Sequence, residues 1–242
     1  MAGHSKWNNI KNKKEKTDAQ RAKIFTKIGR EIMVAVKEGG VDPTSNNKLR
    51  DLIAKSRANN VPMDNIDRLI KKAAGEGDKN HYETCVYEGY GPSGVAVMVE
   101  CLTDNRNRTA GEIRHYFDKS GGNLGTNGCV SFMFSLKGIV VIDNEESAFD
   151  EDKIMEDALE AGGIDVIFED GGVEIETEPA EVGQVAQDLR EKGYNVVSAE
   201  AEQIPDTYAK IENDDLQKKM QMLLDLLEDN DDVQNVWHNW EE

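Results

Sequence analysis

The chain has 242 residues, 38% of them hydrophobic, five prolines and a formal net charge of −18. Such a length favours two or three domains over one, and the apolar content suits a soluble globular protein rather than a disordered tail. No apolar run approaches the roughly 20 residues that span a bilayer, and the N-terminus lacks the apolar stretch of a secretory signal, so no membrane association and a cytoplasmic location are expected.

The net charge is an average over two unlike parts. Met1–Gly75 holds 17 Lys+Arg against 8 Asp+Glu, a net of +9, while the remainder holds 12 against 39, a net of −27. A nucleic-acid binder oriented toward phosphate would carry this asymmetry. So would a helical domain docked on the protein's own acidic surface.

The basic part reads as three helices. The first starts near Thr17, where Thr17 and Gln20 stand at capping-box spacing, and ends at Gly39-Gly40. Phe25, Ile28, Ile32 and Val36 form its apolar stripe. The second runs from about Ser45 to Ala58 with Leu49, Leu52 and Ile53 inward; the third begins at Pro62, buries Ile66, Leu69, Ile70 and Ala73, and ends at Gly75. The stretch "GEGDKN" reads as a linker.

From Tyr82 the period changes to that of strands. "YETCVYEGY" and "GVAVMVECL" flank the turn "GPSG"; a helix is predicted from about Thr109 to Lys119, with Thr109 and Glu112 as its capping box, and "CVSFMFSL" as the next strand. Then "GIVVID", "DEDKIMEDALEAG", "DVIFED", "VEIETE", "AEVGQVAQDLREKG" and "NVVSAEAEQI" follow in β-α-β-β-α-β order, the split βαβ of a ferredoxin-like domain, with the two middle strands paired across Gly171-Gly172. The remaining "DTYAKI", "DLQKKMQMLLDLLED" and "VQNVWHNW" supply a β-α-β complement to the unit that opened at Tyr82. The expected class is therefore α+β with three domains: a helical bundle over 1–78, a discontinuous α/β domain from 79–136 plus 205–242, and an inserted ferredoxin-like domain over 137–204.

Lys16, Lys23, Lys27 and Arg30 fall within about 60° of one another on the first helix, opposite its apolar stripe; Arg21 adds a further cation. Upstream, Lys6, Lys11, Lys13 and Lys14 alternate with Asn8, Asn9 and Asn12 around Trp7. Cations neutralise phosphate, asparagines hydrogen-bond bases or sugars, and an exposed indole stacks on an unpaired base. With so few apolar residues, this arm is expected to be disordered when free and ordered on binding. The tryptophan and the continuous stripe favour binding over a merely solvated terminus.

Arg106 and Arg108 precede the predicted Thr109 helix, where the helix dipole disfavours cations, so either a bridging phosphate or pairing with Asp104 is required. The loop "GGNLGTNG" resembles a phosphate cradle but follows a helix and lacks the GxxxxGK[ST] order, so it reads as a connection. Cys85, Cys101 and Cys129 read as free thiols. His4, His81, His115 and His238 have no metal-ligand spacing, and no nucleophile, zincin or dinucleotide motif is present. No cofactor, no metal and no enzymatic activity are expected. An enzyme with a site between the α/β domains, and a protein-interaction module without nucleic-acid binding, are the rival readings.

The segments "MAGHSKWNNIK", "KTDAQRAKIFTKIGREI", "ANNVPMDNIDRLIKKA" and "YEGYGPSGVAVMVECLTDNRNRTAGEIRHYFDKSGGNLGTNGCVSFMF" resemble the YebC/PmpR family over essentially the whole chain. The resemblance implies three domains and a regulator of gene expression, described for some members as DNA-binding in transcription and for others as ribosome-associated in translation. It carries the nucleic-acid role onto Lys6, Lys11, Lys13, Lys14 and the first-helix stripe. The implied partners are DNA or ribosomal RNA, the ribosome among them, for a chain expected to be monomeric.

Overall fold

The computed structural model describes residues 6, 7, 10, 18–75, 81–145 and 149–241. Two compact units make it up: one is built on Phe134–Asp206 and includes residues 6, 7 and 10, and the other runs from the first long helix to Met133 and resumes at Thr207.

The second of these units starts with helices α1 (Asp18–Gly39), α2 (Asn47–Ala58) and α3 (Met63–Ala74). Their predicted apolar stripes meet: Ile28, Ile32, Val36, Leu49, Leu52, Ile66 and Ala73 form one buried core, with Phe25, Ile53, Leu69 and Ile70 packed around it. Gly40 adopts φ +84°, the left-handed turn that ends α1. Asn46 then starts α2, accepting from Leu49 N at 3.0 Å while its amide donates to Ala35 O and Gly40 O, both at 2.8 Å.

The same unit continues with β1 (Glu83–Tyr90), β2 (Ala96–Thr103), α4 (Arg106–Lys119) and β3 (Asn123–Leu124). Its sheet has the order β3-β1-β2-β9, where β9 (Val233–His238) comes from the C-terminal segment and pairs antiparallel with β2. The two separated stretches thus complete one sheet, as their incompleteness required. Helix α4 and α7 (Asp214–Asp229) pack on it through Ile113, Phe117, Met220, Leu223 and Leu227. The segment "DTYAKI" departs from expectation. Its strand β8 (Ala209–Lys210) stays out of this sheet and pairs in parallel with β10 (Trp240–Glu241), because Asn239 O accepts from Ala209 N and its side chain takes Ala96 N and gives to Thr207 O.

The other unit holds β4 (Phe134–Asp143), α5 (Glu151–Glu160), β5 (Asp165–Glu169), β6 (Gly172–Thr177), α6 (Val182–Glu191) and β7 (Val196–Pro205). Its sheet order, β5-β6-β4-β7, with every neighbour antiparallel, is the ferredoxin-like arrangement. Val140, Ile142, Val173 and Ile175 face Ile154, Ala158, Val185 and Leu189 of the two helices. The opposite sheet face carries Trp7 and Ile10, which are helical, against Ile139 and Val141.

Two predicted boundaries move. "CVSFMFSL" and "GIVVID" are not two strands: Ser131–Met133 is a 3₁₀ turn and β4 runs unbroken from Phe134. The carboxylate of Glu88 draws in the N–H groups of Gly128, Val130 and Ser131, which bends the chain just before the strand. Helix α4 begins three residues earlier than Thr109 because Asn105, whose side chain accepts from Arg108 N at 3.1 Å, is the N-cap.

Candidate nucleic-acid interface

The candidate contact residues form three groups, two of them singled out in the sequence. Asn8, Asn9, Lys11, Lys13, Lys14 and Lys16 lie outside the described residues, as does the side chain of Arg21.

The second group is engaged by carboxylates or carbonyls of the protein itself. On α1, Lys23 Nζ meets Asp229 Oδ1 at 2.5 Å and Lys27 Nζ donates to Glu228 O at 2.8 Å. Arg30 donates to Asp231 O at 2.7 Å and Asp232 Oδ1 at 2.6 Å, and its guanidinium lies 5.6 Å from the Tyr82 ring centroid. The basic stripe therefore faces the C-terminal end of α7 and the loop after it. For Lys23, Lys27 and Arg30 this matches the sequence alternative in which the helical domain docks on an acidic surface. The physical reason is the helix dipole as much as the charges: the C-terminus of α7 ends in Glu228 and Asp229 with unsatisfied carbonyls, which favours cations beside it.

Arg106 and Arg108 stand inside the first turn of α4 rather than before it. Arg108 donates to Asp104 at 3.0 Å and to Asp232 at 2.7 Å. Arg106 is exposed, 4.0 Å from Glu83. Asp232, only 3% exposed, is the hub: it also accepts from Thr109 Oγ1 at 2.7 Å and Thr103 Oγ1 at 3.2 Å. Burial alone would raise its pKa, but the hydrogen bonds from Arg108, Thr109 and Arg30 outweigh that and hold it below the ordinary carboxylate value.

Trp7 overturns the exposed-indole expectation. It is fully buried against Ile139 and Val141, with Ile10, Val197 and Ile204 alongside. Its indole Nε1 donates to Asp170 O at 2.9 Å and its backbone N to Glu174 Oε1 at 2.6 Å. Lys6 pairs with Glu200 at 3.1 Å and with Glu202. Desolvation would lower the Lys6 pKa, yet these two carboxylates raise it above the ordinary lysine value. The glycine-rich loop behaves likewise: the anion it cradles is Glu88, whose pKa is lowered by the three backbone N–H groups despite burial.

The third group was not singled out by sequence reasoning. Arg50 and Arg57 stand about 20° apart on α2, and Arg68, Lys71 and Lys72 within about 100° on α3; all five are exposed. Arg50 touches only its neighbour Asp51, at 3.5 Å, Arg68 donates to Asn65, and Arg57 lies against Met63 Sδ. Arg57, Arg68, Lys71 and Lys72 have no carboxylate partner among the described residues. The signal is present in the sequence as an i, i+3, i+4 basic triplet on α3.

Among the described residues no group of three or more His, Cys, Asp and Glu is placed to hold a metal ion, and no helix is long and apolar enough to cross a membrane. Cys85, Cys101 and Cys129 are free thiols.

Two family models match the chain: "TACO1/YebC protein N-terminal domain" over residues 5–76 and "TACO1/YebC second and third domain" over residues 82–240. A protein of Caldicellulosiruptor bescii named "Probable transcriptional regulatory protein" is 60% identical over 242 residues, covering 100% of this chain and 99% of that one. One of the same name from Acetivibrio thermocellus is 57% identical over 240 residues, covering 99% of each. The crystal structure of a conserved hypothetical protein from Aquifex aeolicus superposes with a TM-score of 0.84 at 43% identity, over 93% of this chain and 92% of that one.

Proposed function

The chain belongs to the TACO1/YebC family, and we propose that it is a non-catalytic regulator of gene expression that binds nucleic acid through its N-terminal helical domain. The observation that supports this reading is the exposure of Arg50 and Arg57 on α2 and of Arg68, Lys71 and Lys72 on α3, the last four without a carboxylate partner among the described residues. Lys11, Lys13, Lys14 and Lys16 extend the footprint along the chain. The name that relatives carry supports the regulatory role. The protein acts in the cytoplasm as a monomer; its ligand is the phosphate backbone of DNA or of RNA, ribosomal RNA included, and the acidic body is held away from it.

Phosphate contacts of this kind position a protein without reading sequence. Binding therefore weakens steeply with salt, by about 0.7–0.9 in log–log slope for each phosphate neutralised. Ultraviolet crosslinking in cells followed by sequencing of the attached nucleic acid tests the reading. Enrichment of ribosomal RNA or of promoter DNA is the expected result, each naming one arm of gene expression; recovery no greater than that of an Arg68→Gln/Lys71→Gln/Lys72→Gln protein contradicts it.

A further inference from the structure

The face of the ferredoxin-like sheet turned away from α5 and α6 is chemically unusual. The register that sends Val173 and Ile175 of β6 toward the helices sends Glu174 and Glu176 to the other side, opposite Val141 and Ile139 of β4. Across β4, Ile139 faces Glu200 and Lys137 faces Glu202 of β7. Four glutamates thus surround Ile139 and Val141, with Val197 and Ile204 alongside, and Lys137 is the one described cation that β4, β6 and β7 place among them, paired to Glu176 at 2.8 Å. In sheets that bind RNA on such a face, aromatic residues stack the bases; here the carboxylates would repel a phosphate backbone. The chemistry suits a cationic segment with one large apolar side chain.

Lys6, Trp7 and Ile10 supply that segment. Trp7 fills the apolar patch, Glu174 takes its backbone N–H, and Glu200 and Glu202 take Lys6. The seat is shaped for the indole at Gly172, where a Cβ would collide with the ring system. Gly172 needs no positive φ, so its lack of a side chain serves this approach and not the turn, which Gly171 makes at φ +80°. Four to eight residues beyond Trp7 come Lys11, Lys13, Lys14 and Glu15.

We propose that this acidic face is a docking site for a basic, tryptophan-bearing segment, and that Lys6, Trp7 and Ile10 exchange between it and nucleic acid. This rests on the nucleic-acid reading above. A phosphate that takes Lys6 removes it from Glu200 and Glu202, and Lys6 cannot serve both. Docking and nucleic-acid binding therefore oppose each other, and by linkage whatever weakens one strengthens the other. Docked, the segment hides its indole and neutralises its own acidic seat; released, it adds Lys6 and Trp7 to the bound strand.

Full-length variants titrated against fluorescently labelled single-stranded and duplex oligonucleotides test this by anisotropy. Gly172→Ala expels the indole without changing any charge, and Glu200→Gln/Glu202→Gln removes the Lys6 partners. Glu151→Gln/Glu156→Gln, on the exposed face of α5, removes as much charge in the same unit without touching the segment. The exchange predicts that Gly172→Ala binds at least about fivefold more tightly than the unaltered protein, and that Glu200→Gln/Glu202→Gln exceeds the α5 control by a similar factor. Equal or weaker binding by both variants overturns the exchange while leaving the nucleic-acid reading intact. Failure of the unaltered protein and of every variant to bind either oligonucleotide overturns that reading, and the exchange with it.

Discussion

Helices α1 and α3 each carry a row of cations at helical spacing, and the two rows have opposite fates. On α1, Lys23, Lys27 and Arg30 run onto the end of α7 and the Asp231-Asp232 loop, where Arg30 keeps only 17% of its side chain exposed. On α3, Arg68, Lys71 and Lys72 face outward with no carboxylate to meet them among the described residues. Charge and periodicity are the same in both. What separates them is a partner roughly 200 residues away in the chain, so a basic stripe identifies a surface that seeks anions without saying whose. In this protein its own carboxylates claim most of the obvious candidates: Asp232 takes Arg30 and Arg108, Glu200 and Glu202 take Lys6, and Glu88 fills the glycine-rich loop.

The paired half of this comparison breaks most severely at Asp232. Asp232→Ala leaves Arg30, Arg108, Thr103 and Thr109 without their acceptor and is expected to cost about 3–5 kcal/mol, read from urea unfolding. Glu88→Gln removes the charge that gathers three backbone N–H groups, and about 1.5–3 kcal/mol should go with it. Lys23→Gln, at a largely exposed pair, should change stability by less than about 1 kcal/mol. Acid sharpens the same contrast. Asp232 and Glu88 have depressed pKa values in the fold, as does Asp157, held by hydrogen bonds from Lys192, Tyr194 and Lys153. A depressed carboxylate contributes fully above its unfolded value of about 3.9–4.3 and loses that contribution as pH falls through the folded one. Unfolding free energy should thus be level above about pH 5 and fall below about pH 4, and Asp232→Asn should flatten the fall.

Much of the fold was legible because it is periodic. The apolar stripe of α1, the β-α-β-β-α-β order from "GIVVID" onward and the incompleteness of the sheet opened at β1 all follow from local pattern, and the structure has each. The α4 start was misplaced because Thr109 and Glu112 imitate a capping box, whereas Asn105 caps the helix and the Thr109 hydroxyl turns inward to Asp232. Trp7 was misjudged for a different reason. Its neighbours are polar, so composition described an exposed arm, while the seat it occupies is assembled by strands 130 to 200 residues downstream. Two signals bore on it. A hairpin with two consecutive glycines has one more than its turn requires, and Glu174, Glu176, Glu200 and Glu202 alternate along strands so that one face gathers carboxylates awaiting a cation. The carboxylate partners of Lys23, Arg30 and Arg108 left no local trace, since pairing across such separations is set by tertiary packing alone.

The account stands most directly on the salt dependence of oligonucleotide binding in two full-length variants. Arg68→Gln/Lys71→Gln/Lys72→Gln should weaken binding at least about tenfold at moderate salt and reduce the log–log salt slope by about 2–2.7, or about 0.7–0.9 for each of three phosphates no longer neutralised. Lys23→Gln/Lys27→Gln should leave affinity within about twofold and the slope unchanged, because those cations are already spent on Asp229 and Glu228. The reverse pattern, with the slope reduced by the Lys23 and Lys27 changes and retained without Arg68, Lys71 and Lys72, would contradict it.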